Sequence, residues 1–149
     1  MMPWYANWLV SLPLILLSVL IHSLGLGIIR VRSVRMHQRM AGRRDAGFLL
    51  ALTMAALVLL VAGLHALEAE IWAIAYVALG ALPDARSAML YSLSAMTTFG
   101  HAGVYLAPEW QMMGAIESLN GLILFGMTIA TLVSFVDRAP GPGGAPPAP

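Results

Sequence analysis

The sequence predicts an all-α membrane protein with three transmembrane helices, its N terminus outside and its C terminus inside. Of its 149 residues, 60% are hydrophobic and only 10% are charged, more apolar surface than a soluble domain of this size needs. Three runs, 8–29, 46–67 and 112–136, are long enough to cross a hydrocarbon core of ~30 Å, which takes ~20 helical residues. Such long runs do not fit the short alternating strands of a β-barrel, so the spans are helices. Orientation follows from Arg30, Arg32, Arg35, Arg39, Arg43 and Arg44, which all fall between the first and second runs, whereas only Arg86 falls between the second and third. The positive-inside rule puts the arginine-rich connection in the cytoplasm.

The first element is a transmembrane helix within residues 1–30. Trp4, Tyr5 and Trp8 form an aromatic anchor at its outer end. Pro13 is expected to kink it, and Gly25 and Gly27 to permit close packing. The opening residues carry no basic segment and the apolar run exceeds the core of a signal peptide, so the span is expected to be retained. His22 within it reads as a polar contact between helices rather than a proton relay.

Residues 31–45 read as a basic cytoplasmic linker. Arg32, Arg35 and Arg39 have helical spacing, but Ser33, His37 and Gln38 interleave them outside the apolar run, unlike the charges of a voltage-sensing helix. A segment that meets anionic lipid headgroups along 30–44 accounts for them.

The second helix starts at Ala46, and Glu68, Glu70, Trp72 and Tyr76 suggest that it continues outward through the interface. His65 and Glu68 stand one turn apart; with no further ligand near them in sequence, interfacial hydrogen bonding accounts for the pair better than a metal. Residues 80–84 form a break, with Pro83 fixing the turn and Asp84 placed to cap a short helix over 85–96. That helix is too short to cross.

After it come Thr97, Thr98, Phe99, Gly100, His101, Ala102 and Gly103, then turn-like residues near Pro108, and then the third span. A short helix that enters from outside, stops and returns as extended Thr- and Gly-containing chain before a full span has the pattern of a re-entrant loop. Non-helical backbone at that depth is tolerated only where protein or water satisfies it. Carbonyls of such a strand that all face one axis can replace the hydration shell of a cation, and threonine hydroxyls add a further ring of oxygens. Turning successive carbonyls the same way needs backbone angles that glycine adopts readily, which Gly100 supplies. The short helix points the negative end of its dipole at the same place.

Glu117, the one ionisable residue of the third span, is by default functional or paired; a hydrogen bond behind the loop, a vestibule position and packing near the interface all remain open. Asn120 and Gly121 fit a cavity lining and a bend, while helix packing explains the glycine as well. The tail, 137–149, begins with Asp137 and Arg138 and then contains only Pro, Gly and Ala, a composition expected to be disordered.

The run Thr97-Thr98-Phe99-Gly100-His101-Ala102 resembles the T-T-V-G-Y-G filter of the potassium-channel superfamily. Tyr91 matches an aromatic position of that family's pore helix, Gly121 its hinge glycine, and Gly126 continues the pattern. Residues 80–84, and 108–110 together with 117–121, resemble small bacterial proteins of the two-pore-domain potassium-channel family (Ion channel family). The likeness covers roughly 46–136, which would be the pore domain of outer helix, pore helix with filter, and inner helix.

The resemblance implies a passive, potassium-conducting channel of the plasma membrane, a bacterial inner membrane, with potassium ions held by the carbonyls of Thr98, Phe99, Gly100 and His101. Tyr91, Ser94, Gly103 and Glu117 would support the filter; Gly121 and Gly126 are the hinge candidates. One chain has one such loop, and ~8 oxygens around an ion require four, which implies a homotetramer.

Three departures from the family pattern bear on selectivity. Phe99 replaces a smaller hydrophobe, with its side chain expected against the pore helix. His101 replaces an aromatic residue and titrates near pH ~6.5 when unperturbed, so conduction would depend on external pH. Ala102 stands at a left-handed glycine position, where alanine costs ~1–2 kcal/mol per subunit. Gly103 also stands where the family has an acidic residue. The alternatives are a poorly selective or pH-dependent cation channel, or a non-conducting pore-like scaffold. No cofactor other than potassium and no nucleic-acid partner is implied. With no cysteine or lysine and with scattered histidines, no enzyme is expected either.

Overall fold

A computed structural model describes residues 4–40, 46–100 and 103–136. These residues form four α-helices, α1 (Tyr5–Met40), α2 (Ala46–Ala78), α3 (Ala85–Met96) and α4 (Gln111–Val136), with a 3-10 turn at Pro108–Trp110 before α4. Three segments, Tyr5–Arg32, Gly47–Ala78 and Pro108–Ser134, are long and apolar enough to cross a membrane. There is no strand among the described residues.

Lipid tails are as apolar as leucine, so burying leucine gives little drive for helices to associate in a bilayer; close packing and hydrogen bonds must supply it. The helices are arranged accordingly. On α1, Asn7, Ser11, Ser18 and His22 are all buried, a stripe at steps of four, seven and four residues that follows one helix face. It lies against both α2 and α4. Asn7 Nδ2 donates to the Glu109 carbonyl at 2.9 Å, and its Oδ1 accepts from the Met113 amide at 3.2 Å, tying the start of α1 to the start of α4. Lower down, Gly25 is in close contact with Leu64 of α2.

The helix α1 runs on to Met40, so Arg30, Arg32, Arg35 and Arg39 stand on it; Arg30, Arg32 and Arg35 are exposed. Arg43, Arg44 and Asp45 lie outside the described residues.

The helix α2 continues past the apolar run to Ala78, as expected. Glu68, Trp72 and Tyr76 on this part of it have no exposed surface. Spaced by four, they share the face that α2 presents to its neighbours, and only Glu70 among the polar residues there is exposed. Trp72, Tyr76, Tyr91, Leu106, Trp110 and Met113 form the main apolar cluster, which seats the short α3 between α2 and α4.

Candidate functional site

The site is built around α3 and the chain that leaves it. Gly80 turns the chain at φ 67°, and Asp84 caps α3 as expected, its Oδ1 accepting from the Ser87 amide at 2.9 Å and its Oδ2 from the Ser87 hydroxyl at 2.8 Å. The Ser87 amide, followed by the Ser87 hydroxyl, holds the exposed Asp84 carboxyl below its ordinary range. The twelve residues of α3 span about 18 Å at 1.5 Å per residue, well short of a crossing.

A buried hydrogen-bonded lock fixes α3 in place. Glu117 of α4 accepts from the Tyr76 hydroxyl of α2 at 2.6 Å and from the Ser92 hydroxyl of α3. Ser92 also reaches the Ala69 carbonyl at 2.7 Å. Glu117 is thus hydrogen-bonded and buried between α2, α3 and α4. Tyr91 packs edge-on against Tyr76 with centroids 5.3 Å apart. Gly121 is buried under the end of α3, where a β-carbon would lie 2.7 Å from Met96 Cα. Its small size permits this close approach, the packing alternative raised for it. Gly126 is exposed with nothing near it. Asn120 is fully buried, with neither amide atom partnered, rather than facing a cavity.

Beyond Met96 the chain closes α3 with two backbone bonds, Thr98 N–H to Ala95 C=O at 2.9 Å and Phe99 N–H to Ser94 C=O at 3.0 Å. This pair of bonds requires a left-handed residue at the first position after the cap. Here that residue is Thr98, at φ 56°, the one described non-glycine residue with positive φ. A β-branched residue is a true outlier there, at a cost of ~1–2 kcal/mol. Gly100 follows at φ 83°, a second left-handed residue two positions on.

Ser94 supports the loop through its carbonyl, while its hydroxyl bonds Leu90 within the helix. Thr97 Oγ1 likewise donates back to Leu93. Gly103 is exposed at φ 92°, and the return segment is fastened by the Ala107 amide to the Ala81 carbonyl at 3.1 Å. His101 and Ala102 lie outside the described residues. The backbone takes a left-handed turn at Thr98, and within the single chain the Phe99 ring is left 86% exposed rather than packed on α3.

A second polar cluster lies between α1, α2 and α4. His22 Nδ1 is 2.9 Å from Glu68 Oε1, His65 Nδ1 is 3.4 Å from Glu68 Oε2, and Thr128 Oγ1 is 3.1 Å from His22 Nε2 and 3.2 Å from His65 Nε2. His22 is the interhelical polar contact expected. The ligand that was missing beside His65 and Glu68 is also His22, 46 residues from Glu68 in sequence and supplied by another helix. Tyr76, Ser92 and Thr128 carried no sequence signal as site residues: each is defined by a partner on a different helix.

No family model, curated protein or solved structure matches this chain.

Proposed function

We propose that this chain is the subunit of a passive cation channel, potassium-conducting, in which four copies bring the segment 97–102 together around one axis. The observation that carries the reading is the recurrence of left-handed backbone at Thr98 and Gly100, directly after a short helix whose negative dipole end faces the same place. Strain at a β-branched residue is retained where surrounding structure over-determines it, and such strain concentrates at ligand clamps. Here the over-determination comes from the Tyr76–Glu117–Ser92 lock and from the contact of Gly121 with Met96.

The same arrangement supports self-association. Phe99, Leu90 and Leu93 are exposed around the end of α3, and Leu119, Leu122 and Ile123 are exposed on α4. A ring as exposed as Phe99, beside a loop that needs three further sets of carbonyls to coordinate an ion, is well suited to cover by a neighbouring copy. In this reading α3 and the loop are re-entrant, and the exposed arginines of α1 lie at the cytoplasmic headgroups.

The test is flux through the purified protein in liposomes under potassium, sodium and impermeant-cation gradients at two external pH values. Potassium-preferring flux that is abolished in Gly100→Ala, with the helices intact, is the expected result. Equal potassium and sodium flux would make it a poorly selective cation pore. Absence of flux at both pH values from an intact tetramer would replace the channel with a non-conducting scaffold.

A further inference from the structure

We infer that His22, His65 and Glu68 form a binding site for one divalent first-row transition metal, zinc by ligand chemistry, in the middle of the helix bundle. The three side chains each offer a ligand atom, and these atoms all lie within 4.8 Å of one another. His22 and Glu68 are fully buried and His65 is 12% exposed.

The orientation of the two imidazoles carries the argument. Both turn Nε2 to the same hydroxyl oxygen, Thr128 Oγ1, and both turn Nδ1 to the Glu68 carboxylate. A hydroxyl oxygen has two lone pairs and accepts both Nε2–H groups. In that tautomer each Nδ1 presents a bare lone pair to the carboxylate, and three electron-rich groups converge with no proton between them. If His22 instead carries its proton on Nδ1 and donates to Oε1, the second half of the cluster is still incomplete: His65 Nδ1 and Glu68 Oε2 are buried without a hydrogen-bond partner. Such orphaned atoms are costly at this depth, and a cation between them resolves both.

Zinc bonds of ~2.0–2.2 Å at a tetrahedral centre put ligand atoms ~3.4 Å apart; His65 Nδ1 and Glu68 Oε2 already stand 3.4 Å apart, while His22 Nδ1 and Glu68 Oε1, at 2.9 Å, would part by about 0.5 Å to admit the ion. Two neutral imidazoles with one carboxylate are a donor set for zinc, and for iron, nickel or copper in turn; magnesium and calcium prefer all-oxygen shells. Thr128 does what partners of ligating histidines generally do, fixing the ring and the tautomer from behind. Phe125 stacks on His65 with centroids 4.3 Å apart and closes that flank. Because the ligands come from α1 and α2 and the bracing hydroxyl from α4, the metal would pin all three long helices, and it would load as they assemble.

The site is tested on the full chain, purified through a tag without histidines from cultures supplemented with zinc or cobalt. The expected result is one metal per chain, with the cobalt form showing the visible d–d bands of a low-coordinate nitrogen and oxygen site. His22→Gln and Glu68→Gln abolish those bands. Thr128→Val keeps all three ligands and weakens zinc affinity by about 10–100-fold, and Thr128→Ser restores it, a response that a purely structural threonine would not give. Folded wild-type protein that carries substoichiometric metal from both cultures and shows no cobalt bands would overturn the site and leave the cluster as a hydrogen-bonded helix contact. Ion flux does not enter these readouts, so the channel reading and the metal site fail separately.

Discussion

Glu117 and Glu68 are both carboxylates with no exposed surface inside an apolar bundle, and they are partnered differently. Glu117 meets two hydroxyls, Tyr76 and Ser92, each able to donate to it, one to each of its oxygens. Glu68 faces the Nδ1 atoms of two imidazoles that also share the Thr128 hydroxyl, and its Oε2, 3.4 Å from His65 Nδ1, makes no hydrogen bond. In the first cluster every oxygen has a hydrogen-bond partner within the chain, and it holds α3 against its neighbours. The second leaves His65 Nδ1 and Glu68 Oε2 without a hydrogen bond, the gap that the proposed metal would fill, and it ties α1 to α2 and α4. Polar residues buried between helices thus differ in whether each atom finds a partner within the chain.

The comparison breaks most visibly at Glu117. Glu117→Ala strands the Tyr76 and Ser92 hydroxyls and leaves a void, for an expected loss of about 2–4 kcal/mol, whereas Tyr76→Phe removes one bond and costs about 0.5–2 kcal/mol. Thermal unfolding in nanodiscs reads both. Zinc added during expression should raise the unfolding temperature of Ser92→Ala as much as that of wild type, since the two clusters share no residue. A zinc shift that vanishes in Ser92→Ala would merge them into one unit.

Gly121→Ala sharpens the same contrast from the packing side. Its β-carbon would press on the Met96 backbone, and backbone cannot yield as a side chain does, so overpacking of about 1–3 kcal/mol is expected. The displaced part is the end of α3, directly before Thr98. The channel reading therefore predicts a larger loss of potassium flux than of unfolding temperature. Stability lost with flux retained would detach the loop from conduction.

How much of this was legible depended on whether the deciding partner was local. The helix α3 was readable to its bounds, Ala85–Met96, because Gly80, Pro83 and Asp84 are punctuation with local chemistry. The continuation of α1 to Met40 was not: arginines end an apolar run, but arginine is a good helix former, so the span stops before the helix does. That Glu68, Trp72 and Tyr76 are buried against other helices was foreshadowed by their spacing of four residues, which places them on one face. The partnerships of Glu117 with Tyr76 and of His22 with Glu68 cross 41 and 46 residues, and only the packing of three helices brings them together. The exposure of Phe99 within the single chain was not legible, because it follows the left-handed turn at Thr98, a conformation that a β-branched residue gives no reason to expect.

The smallest expected effect lies at Asp84, outside both clusters. Its carboxylate accepts from the Ser87 amide and hydroxyl, and these bonds lower its affinity for a proton in the folded state. A carboxyl lowered on folding contributes stability that is fully present above its unfolded value of ~3.9 and is lost as pH falls through the lowered folded value. Amide exchange at Ser87 should therefore accelerate in that acid range in wild type and should not do so in Asp84→Asn, whose amide oxygen accepts the same bond without titrating. The side chain is exposed and solvent screens it, so the fraying stays within the first turn of α3, and at neutral pH Asp84→Asn matches wild type in unfolding temperature and zinc content. Equal acid sensitivity in Asp84→Asn would shift the titrating group elsewhere, and a flux that followed the same acid range would make the capped end of α3, rather than its C-terminal lock, the element that limits the loop.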